Sequence, residues 1–128
     1  MLGGNLRTFI SLLGTPYFPD MTDKILILED VGEAPFQIDN MLMQLQLTRV
    51  FNKIKGLILG DFSRVGTVKD EKMLNQMIKE YFSDAPYPVV RFKKYSHEKS
   101  HVVIPFGGIV HLDSQKGTIT LDKLKNLG

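Results

Sequence analysis

The chain has 128 residues, 43% hydrophobic and 23% charged, and its 16 basic and 14 acidic side chains leave a formal net charge of +2. That length suits one domain, residues 1–128, able to bury a core without staples, and the composition is globular rather than disordered. Near-balanced charge argues against a dedicated nucleic-acid binder. The lack of cysteine excludes disulfides and thiolate metal sites, and no apolar run approaches the ~20 residues of a membrane span.

MLGGNLRTF carries neither the basic nor the apolar region of a signal peptide. A helix-like pattern begins almost at once, as expected of a piece of something longer. NLRTFISLLG has apolar residues at 6, 9, 10, 12 and 13, with Gly14 where a C-terminal cap belongs. It predicts a short helix introduced by Gly3-Gly4-Asn5. After the turn-rich TPYFPD, the run Ile25 to Leu28 in KILILED predicts a buried strand, with Glu29 and Asp30 at the rim of its sheet.

From Phe36 to about Val50, the spacing of Ile38, Met41, Leu42, Leu45 and Val50 predicts a helix. IKGLILG predicts a second buried strand, and DFSRVGTVK a loop. Asp70 is placed to cap a helix holding Met73, Leu74, Met77, Ile78 and Tyr81. YPVVRF predicts a third strand. HVVIPFGGIVHLDSQKGTITL predicts β-hairpins turning at Gly107-Gly108 and at Gln115-Lys116-Gly117. Helices and strands alternate early and strands dominate the C-terminal half, so a layered α/β domain is expected.

Residues 97–101 spell H-E-x-x-H, the pattern by which a helix presents two histidines to one zinc ion. The surroundings disfavour that helix: β-branched Val102, Val103 and Ile104 follow, then Pro105 and Gly107-Gly108. In extended chain His97 and His101 would lie roughly 13 Å apart at ~3.3 Å per residue. Bonds of about 2.1 Å cannot bring both to one metal without a tight loop. His111, in the strand-like IVHLD, offers no evident third ligand. No metal site is expected, and zinc content of the purified protein discriminates the metallopeptidase reading.

Four segments together resemble the LD-carboxypeptidase family, which includes the muramoyl-tetrapeptide carboxypeptidases and the microcin-immunity peptidases. They are GGNLRTFISLLGTPYFPD, ILILEDVGEAPFQIDNMLMQL, IKGLILGDF and SHEKSHVVIPFGG. Their order and spacing match the C-terminal half of that family over about residues 3–122. The resemblance implies a swivelling β/β/α layered fold and a Ser-His-Glu triad split between two domains. Its glutamate falls on Glu29 and its histidine on His97, while the serine belongs to an N-terminal domain. None of the serines at 11, 63, 83, 96, 100 and 114 lies in a G-x-S elbow, so this chain alone is expected to be inactive.

The implied reaction is release of terminal D-alanine from a murein tetrapeptide during cytoplasmic cell-wall recycling, without metal or organic cofactor. The implied partners are the chain's own nucleophile domain, the murein peptide and a second copy in a homodimer, with neither nucleic acid nor membrane. Peptidyl-nucleotide antibiotics, the substrates of the immunity relatives, form an alternative. So does a non-catalytic binding domain of the same fold. Two positions depart from the family pattern: Ser96 stands where glycine commonly precedes the histidine, and Asn40 where arginine commonly precedes the ML pair.

Overall fold

The computed structural model describes residues 1–98 and 102–122. Its centre is a four-stranded parallel sheet built from β1 (Leu2–Asn5), β2 (Ile25–Val31), β3 (Gly56–Ser63) and β4 (Val89–Arg91), paired in that order. Between successive strands lie α1 (Leu6–Ile10), then α2 (Pro35–Leu47) with α3 (Val50–Lys53), then α4 (Val68–Phe82). A parallel sheet whose strands run in chain order, joined by crossovers of one hand, puts all its helices on one face. The core bears this out: Leu26, Leu28, Leu57 and Leu59 pack with Leu6, Phe9, Ile38, Leu42, Leu45, Leu74 and Ile78 from the helices.

The alternate strand residues Ile27 and Ile58 point the other way. They pack with Met1 and Val110, beside Leu112 and Ile119. Those last residues belong to an antiparallel hairpin, β5 (Val110–Asp113) and β6 (Thr118–Leu121), which lies over the second face. Helices, parallel sheet and hairpin thus form three layers, the layered α/β architecture expected from the sequence. Covering both faces is why ILIL and LIL are uninterrupted apolar runs rather than alternating ones. Past α4, every regular element among the described residues is a strand.

Several boundaries differ from the sequence reading. Gly3 and Gly4 do not merely introduce a helix but form strand β1, paired with Ile27 and Leu28. The helix that follows is only five residues long, capped by the Asn5 side chain, which accepts from the Thr8 N–H at 3.0 Å. The single helix expected to Val50 is broken at Arg49, whose left-handed φ of 60° separates α2 from α3. Asp61 to Ser63 continue strand β3 instead of opening the loop. Of the two hairpin turns expected late in the chain, 115–117 joins β5 to β6, whereas residues 102–105 before Gly107 form no strand.

The cap of α4 is Thr67, not Asp70. Thr67 Oγ1 accepts from the Asp70 N–H, and Asp70 Oδ2 accepts from the Thr67 N–H at 2.7 Å, a reciprocal capping box. Thr67→Ala removes one half of that exchange. It is expected to cost about 1 kcal/mol, measured by urea denaturation as a lower midpoint with an unchanged slope.

Candidate functional site

The site lies at the C-terminal ends of the parallel strands, where open α/β sheets commonly bind ligands. Two neighbouring carboxylates close β2, and alternation sends them to opposite faces. Asp30 turns toward the helix layer. It accepts from the Arg7 N–H at 3.1 Å and from the Asn5 side chain, so it secures the start of α1 to the sheet. Burial raises its pKa, and those two hydrogen bonds oppose the rise. Glu33, four residues beyond Glu29, pairs with the Arg7 guanidinium at 2.6 Å, which holds its carboxyl below the ordinary range. Asp30 and Glu33 therefore each have a structural partner.

Glu29 is different. Its side chain is only 3% exposed, and it receives His97. The Nδ1 atom of His97 lies 2.8 Å from Glu29 Oε2 and 3.1 Å from Oε1, and the His97 backbone N–H approaches Oε2 at 3.4 Å. The imidazole itself is about half exposed. The buried carboxylate thus fixes the Nδ1 edge of a half-exposed ring. With Nδ1 occupied by Glu29, Nε2 is the nitrogen available to exchange protons with a reactant.

The approach depends on β3. Leu28 pairs with Leu59 but Asp30 with Phe62, so β3 carries one extra residue opposite Glu29. Such a bulge bends a strand and re-aims its neighbours. Gly60 lies in it, and a Cβ there would fall 2.6 Å from the Tyr95 carbonyl and 2.9 Å from the Glu29 Cβ. Only glycine lets Tyr95, and with it the 95–98 turn, come this close to Glu29. The Asp61 N–H then donates to the Tyr95 carbonyl at 2.8 Å. Gly60 and Tyr95 were not singled out by the sequence reading. The one available signal was a glycine ending the apolar run LIL.

Hydrogen bonding to Glu29 raises the pKa of His97, with the charges of Glu29, Asp30 and Glu98 adding to the rise and partial burial opposing it. Because the folded-state pKa lies above the unfolded one, the pair contributes stability that is full below about pH 6.5. That contribution disappears as pH rises through the elevated value. Urea denaturation from pH 5 to 9 is expected to show this loss in the wild-type chain, and a flatter profile in His97→Gln over the same window.

His97 and Glu98 occupy a turn, not the helix a zinc H-E-x-x-H requires, and Glu98 pairs with Arg64 at 2.6 Å. His101, the second histidine of that pattern, lies outside the described residues, as does Ser100. His111 faces Asp122 on the hairpin at 3.1 Å. Among the described residues, no group of three His, Asp or Glu side chains is arranged to hold a metal ion. Ser96 is buried with an ordinary negative φ, so it needs no glycine-like conformation, and its hydroxyl accepts from the Glu98 N–H at 3.2 Å. Asn40 lines a groove of about 490 Å³ between α1 and α2, together with Arg7, Phe36 and Gln44.

A layered α/β domain here fixes an imidazole against a buried carboxylate, an arrangement chemically able to orient a general base. Comparison with known proteins specifies it further. Residues 1–112 match the model of the LD-carboxypeptidase C-terminal domain, and the chain belongs to that family. It is 33% identical over 124 residues to the probable murein peptide carboxypeptidase of Bacillus subtilis, covering 95% of this chain and 39% of that protein. The crystal structure of muramoyltetrapeptide carboxypeptidase from Oxalobacter formigenes superposes with a TM-score of 0.80 at 36% identity, covering 93% of this chain and 42% of that one. The microcin C7 self-immunity protein of Escherichia coli is 25% identical, over 94% of this chain and 36% of its own length. The chain thus spans about two-fifths of the length of these relatives.

Proposed function

We propose that this domain supplies Glu29 and His97 to a Ser-His-Glu triad whose serine comes from a nucleophile domain preceding it in the whole protein. The reaction is hydrolysis of the amide between the L-centre of a diamino acid and a terminal D-alanine in murein tetrapeptides. His97 Nε2 takes the proton of the serine hydroxyl as the oxygen attacks the scissile carbonyl, then returns it to the leaving amine of D-alanine. Water, activated by the same nitrogen, hydrolyses the acyl-enzyme. Glu29 holds the Nδ1 proton in place and stabilises the imidazolium that forms.

The observation that carries this reading is the 2.8 Å contact between His97 Nδ1 and the buried Glu29 carboxylate, made across 68 residues of sequence. A murein substrate is favoured over a peptidyl-nucleotide because identity to the proteins named for murein peptides is 33–36%, against 25% to the microcin immunity protein. The exposed side chains of Val103, Phe106 and Ile109 suit contact with a further domain. Cytoplasmic murein recycling by a homodimer, with no metal or organic cofactor, completes the reading.

The test is D-alanine release from a murein tetrapeptide by the whole protein, with and without EDTA. Release that survives EDTA supports the serine mechanism. Release lost to EDTA and restored by zinc would return the site to the metallopeptidase pattern. No release from murein peptide, with cleavage of an aminoacyl sulfamoyl nucleoside instead, would move the substrate to the immunity class. No turnover of either would favour a binding domain.

A further inference from the structure

The turn that carries His97 is fastened at three points. Tyr95 is held through its carbonyl by the Asp61 N–H, His97 by Glu29, and Glu98 by Arg64, whose Nη1 donates to Glu98 Oε1 at 2.6 Å. Two of the three fasteners come from β3 or the residue just after it. Arg64 is also conformationally unusual: its φ of 55° is left-handed, which side-chain-bearing residues seldom adopt. The local geometry explains how that conformation is used. Immediately after it, Val65 enters the helix-side core, while the Arg64 side chain reaches across to the His97 turn.

We propose that the Arg64–Glu98 pair is a latch that positions His97, with Arg64 acting as a positioning residue through Glu98 rather than on any reactant. An exposed ion pair elsewhere on the surface would be worth little. This one joins two loops that no strand pairing connects, and it grips the residue next to the histidine. Glu98 is further ordered by its own N–H, which donates to Ser96 Oγ. The latch also sets a guanidinium against the charge of Glu98, one of the carboxylates that act on His97. As a positioning element for a catalytic base it rests on the triad reading, but as a structural device it is measurable without turnover.

Amide hydrogen exchange by NMR on the 128-residue chain tests it, comparing Arg64→Gln, Glu98→Gln, the double variant and Arg64→Lys. In both Arg64→Gln and Glu98→Gln, the His97 and Glu98 amides are expected to exchange about two- to fivefold faster than in the wild type. The double variant is expected to be no faster than either single one, since each already opens the latch. Arg64→Lys keeps the charge and is expected to restore most of the protection. The two single substitutions change the charge near His97 in opposite directions, so a shared loss of protection reports the contact and not the field. Unchanged exchange at both amides, opposite responses in the two single variants, or additive effects in the double variant would each overturn the latch. Because the readout is protection, loss of the peptidase reading and loss of the latch are separate results.

Discussion

Glu29→Gln is expected to lower kcat/KM for D-alanine release by about 10³–10⁴-fold in the whole protein, with the fold retained. Glutamine matches glutamate in size and shape, so the buried site keeps its packing. What changes is the proton. A carboxylate accepts from Nδ1–H and leaves Nε2 as a lone-pair acceptor facing the reactants. The glutamine side-chain amide can present its NH₂ group to Nδ1 instead, favouring the tautomer with hydrogen on Nε2, which cannot take a proton from serine. His97→Ala removes the base outright and is expected to cost a similar factor. The two losses are not additive, because the pair acts as one unit. Thermal denaturation of each variant separates a chemical loss from a folding loss. Activity within tenfold of wild type in Glu29→Gln would remove Glu29 from the triad and make the 2.8 Å contact merely structural.

Discrimination between the neighbouring acids is why the proposed role falls to Glu29. The sequence offers three carboxylates within five positions, and spacing alone does not choose among them. Strand geometry separates Glu29 from Asp30 by sending them to opposite faces of the sheet. There Asp30 is committed to the Arg7 N–H and Asn5, and Glu33 to the Arg7 guanidinium. Only Glu29 is buried on the face that the 95–98 turn approaches. The bulge opposite it, with Gly60 in the gap, opens that approach.

How much of this was legible beforehand depends on the range of each interaction. The apolar runs of β2 and β3 were readable because a strand covered on both faces needs no polar positions. The amphipathic stripe of α4 was readable because its partner lies on one side only. Strand β1 was not, because its two glycines have no side chains to show a pattern, and their place is set by the close approach of β2. The left-handed turn at Arg49 was equally silent, since arginine does not advertise positive φ. The Glu29–His97 contact joins residues 68 apart, a separation at which no local rule operates. The family resemblance pointed to both residues, and the geometry brings them together.

Gly3→Ala is expected to be the most damaging glycine-to-alanine change among the described residues, at about 3–5 kcal/mol, because two independent costs fall on one residue. Gly3 has φ of +139°, open to glycine and strained for alanine. Its added Cβ would also lie 1.9 Å from the Ile27 carbonyl oxygen, in the backbone of the paired strand, where no rotamer can relieve the overlap. Gly4→Ala is the control. Its φ of +142° imposes the same strain, yet a Cβ there meets nothing within 4 Å. It is expected to cost only about 1–3 kcal/mol, the price of the backbone conformation alone. Chemical denaturation of both variants isolates the steric part by difference. A gap of about 2 kcal/mol or more would confirm that β1 sits tightly in register on β2. Equal losses would mean that β1 is held more loosely, and with it the Asn5 and Arg7 contacts that commit Asp30 and leave Glu29 as the carboxylate of the site.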